Sequence, residues 1–109
     1  MSKDLKLVNM TTQDFASAKD HELFENWWEK MGKEYYPIRR KGGMIKHSVL
    51  KVWNKLSEHR YIHIFEYESK ESFENCQKIW KKIENELFQG LLVKMVSDKG
   101  LVISETDLT

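Results

Sequence analysis

Two segments of the sequence concentrate side chains that can move protons, donate hydrogen bonds or stack on a flat ligand. Residues 44–53 (MIKHSVLKVW) contain His47, and residues 60–68 (RYIHIFEYE) contain His63 among aromatic residues. Imidazole can accept a proton near neutral pH or bind a metal. A phenol can donate a hydrogen bond to a carbonyl or enolate oxygen while its ring lines a wall. These segments hold the first candidates for a catalytic or binding site.

The two segments predict a β-hairpin, because both are rich in β-branched and aromatic residues and a short polar connector separates them. If Trp53 pairs with Tyr61, alternation along the strands divides the side chains between two faces. One face is mixed aromatic and basic: His47, Val49, Lys51, Trp53, Tyr61, His63, Phe65 and Tyr67. The other is aliphatic and is predicted to be core: Leu50, Val52, Ile62 and Ile64. We call the first set the aromatic face; it suits a small-molecule cavity or a polar dimer interface.

The two imidazoles are the candidate catalytic residues. His63 or His47 could act as a general base, or either could be a hydrogen-bonding interface residue. A metal would need a third donor, and the nearest carboxylates, Glu66 and Glu68, are predicted to face the other way. We therefore predict no metal site.

The other members of the aromatic face are candidate ligand-binding residues. Tyr61 and Tyr67 could donate hydrogen bonds or simply pack across strands, and Trp53 and Phe65 could form apolar walls. Lys51 is a cation among aromatic side chains, which points to an acidic ligand. The alternative for Lys51 is a strand end from which the ammonium reaches water.

Length and composition narrow the function classes. The 109 residues predict one domain, 1–109, and 18 basic against 17 acidic side chains provide no general attraction to nucleic acid or anionic lipid. The basic run at residues 39–41 is interpreted as a solvated turn. Cys76 is the only cysteine, which suits a reducing cytoplasm, and no apolar run is long enough for a membrane span. We expect a cytoplasmic protein with no nucleic-acid or membrane partner.

The remaining elements follow from local patterns. A strand is predicted at 4–10, a helix from Ser17 to about Lys33 that Pro37 ends, and a turn at Gly42–Gly43. Adjacent Trp27 and Trp28 on that helix point about 100° apart, so one is expected to cover the sheet. Ser69 is predicted to cap a second helix whose stripe contains Phe73, Cys76 and Trp80 and which ends at Gln89–Gly90. Residues 91–96 and 101–105 are predicted to be strands about a turn, or one bent strand.

This order, β-α-β-β-α-β, predicts an α+β, ferredoxin-like fold with an antiparallel sheet and two helices on one of its faces. We expect the aromatic face to point away from the helices. If it were exposed to solvent, this face would be too large an apolar patch for a stable monomer. We therefore expect a second copy of the chain to cover it.

The element order, the hairpin and the segment HIFEYESKESFENC at residues 63–76 resemble the dimeric α/β-barrel superfamily. There, two ferredoxin-like units close their sheets into a shared barrel. The group includes antibiotic-biosynthesis-type monooxygenases, haem-degrading monooxygenases and small uncharacterised proteins. The resemblance implies the dimeric α/β-barrel fold and a homodimer through sheet faces, but it does not specify an activity.

The haem-degrading branch is similar in two positions. It has an Asn on the first strand and an aromatic residue at the end of the third, which here correspond to Asn9 and Tyr67. That branch has Trp at the second position and a haem-ligating His on the second helix, whereas residues 70–88 contain no His. We therefore expect no cofactor. Haem or metal binding would have to use His47 or His63 instead.

Besides haem or metal binding, two other functions stay open. The first is a cofactor-free monooxygenase or isomerase that acts on a small aromatic or polyketide-like compound. His63 or His47 would be the base, and Asn9, Tyr61 and Tyr67 would be hydrogen-bond donors. The second is a non-catalytic homodimeric protein, either small-ligand-binding or stress-associated, whose aromatic face is mainly interface.

Overall fold

The computed structural model describes residues 5–30, 32–54, 59–87 and 93–109. Its four strands are β1 (Leu7–Phe15), β2 (Met44–Lys51), β3 (His59–Tyr67) and β4 (Val93–Leu101). They form one antiparallel sheet in the order β2-β3-β1-β4. The helices are α1 (Ala18–Lys30), α2 (Tyr36–Gly42) and α3 (Lys70–Leu87), and a 3-10 turn at Gly32–Tyr35 precedes α2. The predicted α+β ferredoxin-like fold is confirmed.

The central strand β1 is longer than predicted. The expected strand covered 4–10, but β1 continues through the polar run TTQD to Phe15. Both of its edges are paired, with Thr11 opposite His63 on one side and opposite Ser97 on the other. Two ladders satisfy every backbone group of such a strand, and this outweighs the weak strand preference of its polar residues.

The segment after α1 is helical, not a turn. Pro37 lies in the first turn of α2, where a missing N–H costs nothing, so it starts a helix rather than only ending one. The helix ends at Gly43, whose φ of 111° lies in the left-handed region that favours glycine. The Gly43 N–H donates to the Arg40 carbonyl at 3.1 Å. The interpretation of residues 39–41 as a solvated turn is wrong: Arg39 is completely buried.

Helix α3 begins as predicted. The Ser69 hydroxyl accepts a hydrogen bond from the Ser72 N–H at 3.1 Å, and Phe73 and Cys76 of the predicted stripe are buried. Burial of a side chain as large as Phe73 contributes about 1.5–3 kcal/mol before entropy. The predicted helix end at Gln89–Gly90 lies outside the described residues. No helix in the described part of the chain has the length and apolarity that crossing a membrane requires.

The C-terminal arm is one strand. β4 runs from Val93 to Leu101 through the expected turn residues and pairs with β1 along that whole length. The two-strand interpretation of 91–96 and 101–105 is therefore wrong, and the single-strand alternative describes 93–101 better. A complete ladder on β1 compensates for the weak strand preference of Asp98 and Gly100.

The hairpin has a different register from the predicted one. Lys51, not Trp53, stands opposite Tyr61, and β2 ends before Trp53. The predicted pairing was displaced by two positions, and an even displacement keeps every side chain on its face. The grouping of His47 with His63 and Phe65 therefore survives the error.

The orientation of the hairpin faces is the reverse of the prediction. Phe65 packs edge-to-face on Trp80 of α3 at 4.7 Å between ring centroids, and Tyr67 packs on Phe73 at 5.4 Å. The aromatic face thus lies under the helices, because the large rings fill the space between the two layers and bury the most apolar area there. The aliphatic set, predicted to be core, lies on the open face, where Leu50 is 44% exposed.

Candidate functional site

A cavity of about 320 Å³ lies between the sheet and the helices. We call it the central cavity. Polar side chains from the sheet line one side: Asn9, Thr11, Gln13, His63 and Ser97. Aromatic rings line another: Phe24, Trp28, Phe65, Phe73 and Trp80, with Gln77, Met95 and Lys99 completing the boundary. The volume is at the lower end of that of small-molecule sites, about 300–1,000 Å³.

Alternation along β1 positions the polar side. Asn9, Thr11 and Gln13 are spaced by two, so they project together, and Ser97 stands opposite Thr11 on β4. The Asn9 Oδ1 accepts hydrogen bonds from the Ser97 hydroxyl at 2.7 Å and from the Thr11 hydroxyl at 3.2 Å. The amide nitrogen of Asn9 is left as a donor at the wall, with no hydrogen bond to the described residues.

A chain of hydrogen bonds crosses the sheet beside the central cavity. The Tyr36 hydroxyl lies 2.8 Å from His47 Nδ1, and His47 Nε2 lies 3.0 Å from His63 Nδ1. His63 Nε2 lies 2.7 Å from Gln13 Oε1. We call Tyr36, His47, His63 and Gln13 the imidazole relay.

The hydrogen bonds of the imidazole relay can all be made with the donors pointing in either of two directions along the chain. In one, Tyr36 donates to His47, His47 to His63, and His63 Nε2–H to the Gln13 oxygen, while the Gln13 amide lies 3.7 Å from Met95 Sδ. In the other, Gln13 turns its amide toward His63 and every donor reverses, so that the lone pair of His63 Nε2 accepts a hydrogen bond from the Gln13 amide. Both directions keep both imidazoles neutral.

Burial keeps these imidazoles uncharged. It lowers the pKa of His47 to about 3, with further contributions from His63 and then Arg39. It also lowers the pKa of His63 to about 4, with Arg39 and His21 adding to the effect. Burial raises the pKa of Tyr36, at the far end of the relay. The relay therefore carries no net charge at neutral pH.

A second cavity, of about 420 Å³, adjoins the first and shares Phe24, Trp28 and His63 with it. His21 and Tyr61 stack in its wall at 3.5 Å between ring centroids and an interplanar angle of 5°. Burial lowers the pKa of His21, and Glu25, 3.3 Å away, partly opposes this. His63 is thus the polar side chain common to both cavities.

The predicted site residues divide into two groups. His63, Asn9 and Phe65 line the central cavity, and His47 reaches it through its bond to His63. The other four lie outside its lining. Tyr61 borders the second cavity, the Tyr67 hydroxyl accepts from Trp80 Nε1 at 3.1 Å in the core, Lys51 is exposed, and Trp53 is 82% exposed beyond β2.

Several lining residues escaped the sequence reasoning. Thr11 and Gln13 continue the alternation of Asn9, but the predicted strand ended before them. Trp80 was assigned only to the apolar stripe of the second predicted helix. Lys99 and Ser97 were placed in a turn. The alternating polar positions from Asn9 to Gln13 were the one available signal.

No set of three or more His, Cys, Asp and Glu side chains within the described ranges is arranged to hold a metal ion. Such a site needs several convergent donors. His47 and His63 instead use ring nitrogens to bond each other.

Comparison with known proteins identifies the family. Residues 4–102 match the family described as Domain of unknown function (DUF6974). The chain belongs to this family. No match is found among curated proteins.

Two solved structures of dimeric ferredoxin-like proteins from uncultured marine organisms resemble the chain over almost its whole length. One is 31% identical, with a TM-score of 0.82, and the match covers 94% of this chain and 98% of that one. The second is 27% identical, with a TM-score of 0.87 and coverage of 94% and 100%. These similarities confirm the resemblance to dimeric ferredoxin-like proteins.

More distant structures share the fold. A monooxygenase from the gene ActVA-Orf6 of Streptomyces coelicolor, in complex with the ligand nanaomycin D, has 10% identity and a TM-score of 0.70, covering 96% and 94% of the two chains. SnoaB, a cofactor-independent oxygenase from Streptomyces nogalater, has 15% identity and a TM-score of 0.63, covering 95% and 97%. At such identities the likeness concerns the fold alone.

Proposed function

We propose that the central cavity binds a planar aromatic compound with a phenol or enol oxygen, and that the protein oxygenates this compound with O₂ and no cofactor. The observation that carries the proposal is the meeting of three features in one cavity: aromatic walls, the amide donor of Asn9, and the neutral imidazole relay. The description of SnoaB as a cofactor-independent oxygenase supports the reaction class.

The two sides of the central cavity suit two parts of such a ligand. Phe65 and Trp80, edge-to-face at 4.7 Å, offer ring surface to an aromatic body. The Asn9 amide nitrogen lies on the polar side, where a carbonyl or enolate oxygen can accept its hydrogen bond. The ligand oxygen would therefore point toward β1 and its rings toward α1 and α3.

The proton step uses the imidazole relay. With its lone pair on Nε2 and Gln13 moved aside, His63 can take a proton from the substrate and pass one through His47 toward Tyr36. The low pKa of the empty site does not prevent this, because an enolate next to His63 favours the imidazolium and raises its pKa. His63 therefore becomes a stronger base at the moment when the negative charge of the enolate forms beside it.

The substrate supplies the electrons for the oxygen step. Its carbanion forms a C–O bond with O₂, and return of the proton gives a hydroperoxide. Loss of water then converts that carbon into a ketone, so that a CH₂ group and O₂ become C=O and H₂O. The protein's own part is to hold the enolate, accept the proton and return it.

A non-catalytic ligand-binding protein is the second candidate. One observation favours it: both ring nitrogens of His63 are engaged, so Gln13 must move before His63 meets a substrate. In this case the cavity would bind the same aromatic compounds without consuming O₂. We propose a cytoplasmic location for either function, because Cys76 is a single thiol.

We further propose that the protein is a homodimer through the open face of its sheet. That face exposes Met10 (45%), Leu50 (44%) and Val96 (52%), an apolar surface of the kind that partners cover. The two marine structures are described as dimeric. The predicted reason for a dimer changes, since the aliphatic set and not the aromatic face would form the interface.

An oxygen-uptake assay tests the proposed reaction. Purified protein treated with EDTA is given 1,8-dihydroxyanthrone, and O₂ consumption and the anthraquinone absorbance are followed. We expect catalysed uptake that is lost in Asn9→Ala and retained in Lys51→Met, whose side chain lies outside the cavity lining. Saturable binding with no uptake above the spontaneous rate, over a panel of anthrones and naphthols, would favour the ligand-binding protein. A product formed without O₂ would indicate an isomerase.

A further inference from the structure

Arg39 is a buried cation whose side chain has no hydrogen-bond acceptor in the described part of the chain. It is 0% exposed, and its Nε, Nη1 and Nη2 atoms have no hydrogen-bond partner among the described residues. Its guanidinium carbon lies over aromatic rings instead: 4.2 Å from the ring centroid of Trp80, 5.1 Å from that of Trp28 and 5.6 Å from that of Tyr36.

This arrangement is costly. A buried charge that lacks acceptors loses its hydration, and contacts with ring faces recover only part of that loss. An apolar side chain of similar volume would fill the space between the rings without this penalty. The guanidinium also stays protonated through the physiological pH range. Arg39 is therefore a permanent charge that the packing alone does not require.

The charge lies next to the central cavity. Trp28 and Trp80 both contact the guanidinium and both line the cavity, so one layer of rings separates Arg39 from a ligand. Lys99, unlike Arg39, belongs to the lining itself and adds a second positive charge. In the described part of the chain the lining includes no carboxylate. The ionisable groups that face Arg39 are phenols, a thiol and the two imidazoles of the relay: Tyr35, Tyr36, Tyr67, Cys76, His47 and His63.

These neighbours do not neutralise it. Burial raises the pKa of Tyr36, of Tyr67 and of Cys76, which keeps all three uncharged at neutral pH. In a poorly hydrated interior a charge acts over several ångströms with much less screening than in water. No side chain in the described lining of the cavity therefore carries a negative charge that would cancel the charge of Arg39.

We propose that Arg39 makes the central cavity selective for aromatic anions: phenolates, enolates or aryl carboxylates. The inference rests on the proposed function, since it requires that the cavity binds an aromatic ligand. Arg39 acts through the Trp28 and Trp80 rings and not by direct contact, because its nitrogens are sealed from the cavity. It is a specificity-determining residue that favours the ionised form of a bound phenol or enol.

A matched pair of ligands tests this selectivity. 2-Naphthoate and 2-naphthamide have nearly the same shape, and only the first is charged. Their dissociation constants are measured by isothermal titration calorimetry with the wild-type protein, Arg39→Met and Arg40→Met. Arg40 is the control because it is the adjacent residue of α2, is exposed and pairs with Glu68 at 3.0 Å. Lys99→Met separates the contribution of the lining lysine.

We expect the wild-type protein to prefer naphthoate at least tenfold. Arg39→Met should bring the two constants within about threefold by weakening naphthoate only, and Arg40→Met should retain the preference. A wild-type protein that binds both ligands equally would overturn the inference and leave the proposed aromatic site intact. If the wild-type protein bound neither ligand, both the inference and the proposed aromatic site would be contradicted.

A second measurement covers the case in which Arg39→Met does not fold. Naphthoate preference in the wild-type protein is then compared at low and high salt, with and without Lys99→Met. Salt screens Lys99 at the cavity edge but hardly affects a fully buried charge. A preference that persists at high salt in Lys99→Met supports Arg39, and one that disappears assigns the selectivity to surface charge and contradicts the inference.

Discussion

His47 Nε2 and His63 Nδ1 lie 3.0 Å apart on neighbouring strands, and this bond makes the two imidazoles one titrating unit. Only one ring can donate in the bond, so the tautomer of each is fixed by the other and by the groups beyond them, Tyr36 and Gln13. A proton placed on one ring changes the proton affinity of the other ring. The relay responds to substitution as a whole.

Acid should destabilise the fold through this pair. The unfolded imidazoles have a pKa near 6.5, whereas the folded values are about 3 for His47 and about 4 for His63. As the pH falls below about 6.5 the unfolded chain binds protons first, so the free energy of unfolding decreases until the folded pKa values are passed. The slope is about 1–3 kcal/mol per pH unit for the two together. Urea midpoints at pH 7 and pH 4.5 measure it.

The double variant His47→Gln with His63→Gln should reduce this pH dependence. His59→Gln, at the half-exposed start of β3, is the control and should leave the dependence unchanged. An equal decrease of stability with pH in the wild-type protein and the double variant would show that the imidazoles do not carry it.

Substitution of His63 should separate catalysis from folding only when a polar replacement is used. Both ring nitrogens are bonded and the residue is 4% exposed, so His63→Ala leaves His47 and Gln13 without partners. We expect that variant to lose about 2–4 kcal/mol of stability. His63→Gln retains a donor and an acceptor and should fold with less loss, yet have no oxygen uptake, since an amide cannot accept the proton. Uptake in folded His63→Gln would exclude His63 as the base.

The core and the proposed dimer interface should respond differently to substitution. Phe65 is buried under α3, so Phe65→Ala should cost about 3–5 kcal/mol and lower the urea midpoint. Met10→Lys, on the open face, should leave the fold intact but reduce the mass in light scattering from twice 13.1 kDa to 13.1 kDa. A wild-type protein that is already monomeric would rule out the dimer.

Gly43 should be the least replaceable glycine of the described residues. Its φ is 111°, and an added Cβ would collide with the Ser72 side chain at the start of α3. We expect Gly43→Ala to lose about 2 kcal/mol or more. Gly100→Ala is the matched control, because no described atom lies within 4 Å of its added Cβ, and its stability should change by less than about 0.5 kcal/mol. Similar melting temperatures for the two variants would contradict this.

Local patterns were enough for the type and order of most elements. The step of three and four along Phe73, Cys76 and Trp80 has only one regular solution, a helix, and Ser69 marks where it begins. Alternation on β3 has the same force, which is why His63 and Phe65 were correctly grouped despite a register displaced by two. Such periodicities depend on backbone geometry alone and need no knowledge of the rest of the chain.

Which face of the sheet meets the helices was decided by packing. Alternation is symmetric: it shows that the rings and the aliphatic side chains lie on opposite faces, but either face can be covered by helices. The rings of Phe65 and Tyr67 fill the interlayer space against Trp80 and Phe73, and this global fit places the cavity and the imidazole relay inside the fold. Burial of Arg39 depends likewise on the rings of Trp28 and Trp80, which come from two other helices and which no local pattern brings together.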